Sequence, residues 1–262
     1  CNLNPKPGQF IETSIPGFGE CPLASCSSDP TKLTLLTRKA GNVTTKLFNL
    51  KKQDTIFIRG PYGNGFSLEE LENKNLILIA GGTGLAPITS LIDHIEKNKN
   101  KFKTVSIYFG FRDREYILLK DKIMKWKKIF NLTICLDKDE KNPSTKNKTT
   151  PAPQTTTFKT NQLICETGFI PNIINKNKPD LDNTIALMCG PEIMMQLVTK
   201  TLNKQGLTND KIYWSLERRM ECAFGNCNRC LIQDLYVCKD GPVFRADIIL
   251  PRINNEESNN EK

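Results

Sequence analysis

Residues Asn75–Pro87 read Asn-Leu-Ile-Leu-Ile-Ala-Gly-Gly-Thr-Gly-Leu-Ala-Pro, and this stretch decides the fold. Asn75–Ala80 is a continuous apolar run, the pattern of a strand buried on both faces. Gly81-Gly82-Thr83-Gly84 follows, then a helix is predicted over Pro87–Glu96. Glycines here permit a tight turn that presents backbone amides, at a helix N-terminus, to a pyrophosphate. The turn is neither G-x-G-x-x-G nor a Walker loop, which requires Gly-Lys-Ser/Thr. A plain tight turn is the competing reading, and the position after a buried strand favours the nucleotide. Working outward, Thr104–Phe109 reads as a second buried strand, Glu115–Lys128 as a helix and Leu132–Leu136 as a third strand. Thr184–Met188 is another strand and Pro191–Asn203 another helix. Alternating strands and helices imply right-handed crossovers and a parallel sheet.

Upstream, residues 1 to about 72 read as β. Phe10–Ile15, Leu33–Thr37 and Thr55–Ile58 are short runs separated by turn signals such as Pro16-Gly17, Gly41-Asn42 and Gly60-Pro61. Three or four such strands suggest part of an antiparallel barrel. The chain begins at Cys1 in strand-and-turn material with no signal-peptide pattern, so further barrel strands are expected ahead of it. About 137–161 is Lys, Asn, Thr and Pro with almost no apolar residues, a predicted disordered insertion, and 251–262 is a predicted polar tail of the same kind. The expected organisation is therefore an N-terminally incomplete β domain over 1–72, an α/β domain over 73–213, a small module over 214–250, and the tail.

The 262 residues suit about two domains of roughly 150 residues each. With 38% hydrophobic and 25% charged residues the composition is globular. The longest apolar run, Leu76–Ala80, falls far short of the ~20 residues of a membrane-spanning helix. The formal charge of +9 comes from 37 Lys and Arg against 28 Asp and Glu. The lysines are scattered, with no Arg-rich helix interleaved with aromatics, so a solvated basic surface is expected and no nucleic-acid partner. A single histidine, His94, disfavours a histidine base or a multi-histidine metal site.

Four of the ten cysteines crowd together: Cys222-Ala-Phe-Gly-Asn-Cys227-Asn-Arg-Cys230, then Cys238. C-x4-C-x2-C with a further cysteine is the plant-type [2Fe–2S] ligand pattern. Gly225 lets the backbone approach a cluster closely, and its neighbours' amides can donate to sulfur. Structural zinc is the competing reading, although zinc sites prefer paired C-x2-C hooks and only Cys227/Cys230 forms one. Clustered thiols in a chain this long point to a reducing compartment rather than to disulfides. Met188-Cys189-Gly190-Pro191-Glu192 is a second strand end opening into a helix; Cys189 there can sit against a nicotinamide ring, although a plain helix start also explains it.

Together these segments resemble the ferredoxin–NADP reductase superfamily. Pro7-Gly8-Gln9-Phe10, a proline-plus-serine strand at Cys21–Ser28, Gly41-Asn42-Val43-Thr44, Arg59-Gly-Pro-Tyr-Gly63, the Gly81–Pro87 turn, Cys189-Gly-Pro191 and the cysteine cluster occur in that family's order. Trp214–Cys222 and Tyr236–Phe244 are similar to electron-transfer subunits of the sulfhydrogenase gamma and anaerobic sulfite reductase B type. The dihydroorotate dehydrogenase electron-transfer subunits resemble the chain more distantly, and usually have a longer gap before the last cysteine.

The resemblance implies FAD on the barrel, NAD(P)H on the parallel-sheet domain and a [2Fe–2S] cluster on Cys222, Cys227, Cys230 and Cys238. Pro22, Leu23, Ser25 and Ser27 would line the flavin, and Gly41, Val43 and Thr44 would approach its phosphates. Gly82, Thr83, Gly84 and Arg112 would serve the nicotinamide nucleotide; Cys189, Gly190 and Pro191 would face the nicotinamide, with Cys189 the catalytic candidate. Ala24 stands where many members have a flavin-contacting serine, and Cys21 where many have arginine. The implied activity is an oxidoreductase subunit, in the cytoplasm or a reducing organelle, passing electrons to or from a hydrogenase or sulfite-reductase partner or a ferredoxin. A dihydroorotate dehydrogenase subunit and a flavin-less zinc docking subunit are the alternatives.

Overall fold

The computed structural model describes residues 3–27, 29, 31–138 and 163–260, with the side chains of 257–260 excepted. The insertion expected at about 137–161 lies, from 139 onward, outside the described residues. Its first two positions are anchored, Asp137 and Lys138 donating their amides to the Phe111 and Arg112 carbonyls at 3.0 Å each.

The first layer is a three-stranded antiparallel sheet. β1 (Phe10–Ile15) pairs with β2 (Gly19–Ala24) on one side and β3 (Phe57–Tyr62) on the other. α1 (Asn42–Phe48) packs on β2. Leu33–Thr37, expected as a strand, is extended chain making one bridge, Ser25 to Leu35. Its apolar-threonine run looks like a strand but finds no ladder among the described residues. Gly41–Thr44, expected as a turn, opens α1 instead: the Thr44 hydroxyl accepts the Ala40 and Gly41 amides at 2.9 Å each and so caps the helix start. α2 (Leu68–Leu71) leads to the second layer.

That layer is the parallel sheet the sequence implied. β4 (Asn75–Gly81), β5 (Val105–Phe111), β6 (Asn131–Leu136), β7 (Cys165–Thr167), β8 (Thr184–Cys189) and β9 (Ile212–Ser215) all run parallel, in the order β9-β8-β4-β5-β6-β7. β4 has neighbours on both sides, β5 and β8, in exact register from Asn75 to Gly81. Its side chains alternate between two cores, Leu76, Leu78 and Ala80 on one face and Ile77 and Ile79 on the other, which is why the strand reads as unbroken apolar sequence. α3 (Leu85–Lys97) and α4 (Lys120–Lys127) cover the first face. α5 (Ile170–Asn177) and α6 (Glu192–Lys204) cover the second. The helix expected over Glu115–Lys128 is shorter, because Leu119 adopts φ +53° and breaks it from the preceding turn.

The C-terminal residues extend this sheet. β10 (Leu231–Ile232) and β11 (Leu235–Tyr236) form a small hairpin, α7 (Val237–Asp240) follows, and β12 (Val243–Arg245) pairs antiparallel with β9 at the sheet edge. α8 (Ala246–Asn260) replaces the predicted polar tail. Ala246, Ile249 and Ile253, at helical spacing, are buried in the second core, and Arg252 pairs with Asp234 at 2.6 Å. Few apolar residues, correctly spaced, outweigh the Asn- and Glu-rich composition.

Candidate functional site

A cavity of about 260 Å³ lies where the three parts meet. The antiparallel sheet supplies Phe10, Pro22 and Leu23; the parallel-sheet turns supply Thr83 and Cys189; the C-terminal module supplies Met220 and Pro242. Parallel strands end at this edge, where an open α/β sheet binds its ligand.

Two turns build the parallel-sheet side of the cavity. Gly84 follows β4 and Cys189–Gly190 ends the neighbouring β8, and the two backbones touch: a Cβ on Gly84 would meet the Cys189 carbonyl and lie 2.7 Å from the Gly190 amide nitrogen. Gly190 has φ +155°, and a Cβ there would lie 3.0 Å from the Gly81 nitrogen. Both glycines are therefore needed for close approach. Gly82 has φ +55° and faces open space, leaving room for a ligand beside the turn. Pro191 caps α6, whose first turn closes through the Met195 amide on the Pro191 carbonyl at 3.1 Å. Arg112, one residue past β5, stacks its guanidinium 5.8 Å from the Tyr116 ring at the same edge but does not line the cavity.

The Cys189 thiol is fully buried, and burial, with the Glu217 carboxylate nearby, holds its pKa far above the usual thiol value. It is a neutral thiol, suited to packing against a ring rather than to nucleophilic attack.

On the antiparallel-sheet side, Pro22, Leu23, Ala24 and Thr44 line the cavity. Ser25 and Ser27 do not. The Ser25 hydroxyl donates to the Ser27 carbonyl at 3.0 Å and the Ser27 hydroxyl to the Lys32 carbonyl at 2.9 Å, so both are engaged by nearby main chain. Gly41 and Val43 act through α1, as its cap and its buried first-turn residue, and not as cavity walls.

Leu36, Thr37, Arg38 and Glu217 line the cavity and were missed. Thr37 Oγ1 is buried without a partner, an orphaned hydroxyl at the wall of a polar-rimmed cavity. The only sequence signal for it was a Thr-Arg pair shortly before the Gly41 turn. Burial raises the Glu217 pKa, partly offset by Arg38.

The four expected cysteines come together beside this cavity in two pairs, Cys222 with Cys227 and Cys230 with Cys238. The loop curls through left-handed Ala223 (φ +69°), Gly225 (φ +78°) and Asn228 (φ +61°). Its amides turn inward: Gly225 N–H donates to Cys238 Sγ at 3.2 Å and Asn226 N–H to Cys222 Sγ at 3.3 Å. Such an amide nest suits anionic sulfur. Although burial raises the Cys222 pKa, the amides of Asn226, Phe224 and Cys227 outweigh it and lower the thiol to about 6. Burial, then the hydrogen bond with Cys230, pushes Cys238 up to about 12. Among the described residues no three His, Cys, Asp or Glu side chains close around a single ion position. Four thiols brought together are the donor set of an iron–sulfur cluster and also that of a structural zinc.

Residues 217–250 match the family model for the iron–sulfur cluster binding domain of dihydroorotate dehydrogenase B, and residues 78–200 match the oxidoreductase NAD-binding domain. The sulfhydrogenase 2 gamma subunit of Pyrococcus furiosus is 36% identical over 93% of this chain and 84% of its own length. The chain belongs to the family of sulfhydrogenase gamma and dihydroorotate dehydrogenase electron-transfer subunits. A relative from the second group, a probable dihydroorotate dehydrogenase B electron-transfer subunit of Thermococcus kodakarensis, is 30% identical over 94% of this chain and 87% of its own. The fold is that of the ferredoxin–NADP reductases. An NADH-dependent reduced ferredoxin–NADP oxidoreductase superposes with a TM-score of 0.71 at 22% identity, covering 97% of this chain and 84% of that one. A Neisseria gonorrhoeae ferredoxin–NADP reductase with bound FAD and NADP gives 0.61 at 18% identity, covering 81% and 87%. Family membership makes this chain an NAD(P)H-linked electron-transfer subunit with an iron–sulfur binding module. Among the described residues no helix is long and apolar enough to cross a membrane.

Proposed function

We propose that the chain holds FAD in the three-walled cavity, NAD(P)H at the Gly82–Gly84 and Cys189–Pro191 turns, and a [2Fe–2S] cluster on Cys222, Cys227, Cys230 and Cys238. When bound, these groups supply hydride exchange between nicotinamide and flavin and single-electron exchange with the cluster. One observation carries the reading: a single cavity is walled by the flavin-side strand, the nicotinamide-side turns and the segments that run into the cysteine loop.

The chain's own residues position and exclude. Pro22 and Leu23 present an apolar wall, and the unpartnered Thr37 hydroxyl provides a donor. The contact of Gly84 with Cys189 and Gly190 fixes the two turns as one surface. The buried Cys189 thiol, opposite Ser215 in the β8–β9 register, keeps water from that surface. Glu217 and Arg38 set the charge at the cavity mouth. Inward amides of Asn226 and Gly225 stabilise thiolate charge, which raises the reduction potential of a cluster held there.

The partner in this reading is a redox subunit of the hydrogenase or sulfite-reductase type, favoured by the short Cys230–Cys238 gap and the sulfhydrogenase relatives. The second reading, a dihydroorotate dehydrogenase partner, is favoured by the family model over 217–250 and the 30% relative. Anaerobic absorption spectra before and after NADH, then NADPH, with iron counted in parallel, test the cofactor set. A flavin band bleached by one nucleotide is expected; iron with no flavin at saturating added FAD would refute the cavity assignment. The subunit that co-purifies separates the two partner readings.

A further inference from the structure

The cysteine loop is fastened to the antiparallel sheet at two points, one on β3 and one just past it. At one, Arg59 uses all five of its N–H donors. Nε and Nη2 grip the Glu20 carboxylate at 2.8 and 2.7 Å, Nη1 reaches the Tyr62 hydroxyl at 3.2 Å, and the same two terminal nitrogens donate to the Glu221 carbonyl at 2.7 Å and the Cys222 carbonyl at 2.8 Å. The guanidinium thus holds the main chain of a cluster cysteine directly. At the other point, just past β3, Asn64 Nδ2 donates to the Asp240 carbonyl at 3.0 Å and the Val243 carbonyl at 2.9 Å, while its Oδ1 accepts the Val243 amide at 3.2 Å. The Asn64 amide also donates to the Gly241 carbonyl at 2.7 Å. Those acceptors begin two residues after Cys238.

Each clamp therefore serves one thiol pair, Arg59 the Cys222/Cys227 pair and Asn64 the Cys230/Cys238 pair. Each also adjoins a cavity wall: Met220 lies two residues before Cys222, and Pro242 lies between Gly241 and Val243, whose carbonyls Asn64 holds. β3 is paired to β1, whose Phe10 lines the same cavity and packs on Tyr62 with ring centroids 5.9 Å apart.

We propose that Arg59 and Asn64 are positioning residues for the electron step between the flavin cavity and the cysteine cluster, fixing the spacing of the two thiol pairs from the cavity. The proposal rests on the cofactor reading above. Charge alone does not serve: a lysine at 59 has no planar fork with which to reach both carbonyls and Glu20.

The test uses full-length protein carrying flavin and iron, in wild type, Arg59→Lys and Asn64→Ala. Rapid mixing with the reducing nucleotide is followed at the flavin band and, separately, at the cluster band. The proposal expects flavin bleaching within about twofold of wild type and cluster reduction slowed relative to it, because electron tunnelling between two centres falls off steeply with the distance between them. In metal-free protein, hydrogen exchange is expected to rise at 217–243 and stay unchanged at β4 and β5. Cluster reduction keeping pace with flavin bleaching as in wild type, or both steps slowing equally, would overturn it, even if the variants melt earlier. Wild-type protein lacking flavin or cluster would instead overturn the cofactor reading itself, an outcome visible before any variant is made.

Discussion

Replacing Gly84 with alanine separates a packing requirement from a backbone one. Gly84 has φ −60° and ψ −6°, a conformation any residue adopts, so alanine carries no strain there. In open space Gly→Ala at such an unstrained φ/ψ would stabilise by about 0.4–1 kcal/mol, by restricting the unfolded chain. The added Cβ, however, would lie 2.5 Å from the Cys189 carbonyl carbon and 2.7 Å from the Gly190 nitrogen, where ordinary contact needs 3.4 Å or more. Relief requires an opening of about 1 Å against β8, which is hydrogen-bonded on both sides by β4 and β9 and cannot retreat. The expected net cost is about 1–3 kcal/mol, or roughly 2–12 °C in melting temperature at 2–4 °C per kcal/mol. Nucleotide-driven flavin bleaching should fall by up to about 100-fold, because the two turns proposed to hold the nicotinamide part. Gly82→Ala is the control: φ is +55° with nothing near, so it should cost about 1–2 kcal/mol of strain without moving the Gly84 contact. Differential scanning calorimetry and nucleotide titration read both effects. Wild-type melting and affinity in Gly84→Ala would refute the reasoning.

Three further outcomes follow from the geometry. Glu12 is 0% exposed with both carboxylate oxygens unpartnered, and burial, offset in part by Arg59, pushes its pKa up to about 8. The folded state then keeps a proton that the unfolded chain loses above about pH 4.5, so Glu12 should lower stability progressively between pH 4.5 and 8, by up to about 5 kcal/mol at the plateau. Glu12→Gln should remove that loss in denaturant melts above pH 8 and match wild type near pH 4.5; parallel pH profiles would contradict it. In metal-free protein at pH 7, Cys222, with its pKa near 6, should be alkylated by iodoacetamide well before buried Cys189, as mass spectrometry of timed samples would show; the reverse order would be inconsistent with the amide nest. Cys189→Ala should keep flavin content and slow nucleotide-driven bleaching about tenfold or more, through lost packing at the nicotinamide surface; an unchanged rate would remove Cys189 from the site.

What sequence could carry was local. β4 announces itself because burial on both faces leaves no polar position, and the cysteine loop because four thiols at fixed spacing have few other uses. Gly84 and Gly190 were legible as glycines at strand ends, although their reason, one backbone resting on the other, is a contact across more than a hundred residues. Arg59 and Asn64 were ordinary residues of an Arg-Gly-Pro-Tyr-Gly-Asn turn until folding brought Cys222 and Val243 to them. Sequence could not tell where the Ser25 and Ser27 hydroxyls bond, because a hydroxyl near a ligand strand reads the same whether it faces the ligand or bonds its own loop. Leu33–Thr37 has strand composition but no ladder, and α8 has tail composition but three apolar residues on one face. In each case the deciding term was a tertiary partner that composition does not record.

The central claim is that the two thiol pairs hold two irons beside the flavin cavity. Its most direct test is the iron, zinc and acid-labile sulfide content of anaerobically purified protein, together with the electron paramagnetic resonance spectrum after one-electron reduction. The account predicts about two irons and two sulfides per chain and a rhombic spin-½ signal, lost with Cys230→Ser. One zinc per chain, with no sulfide and no signal, would contradict it.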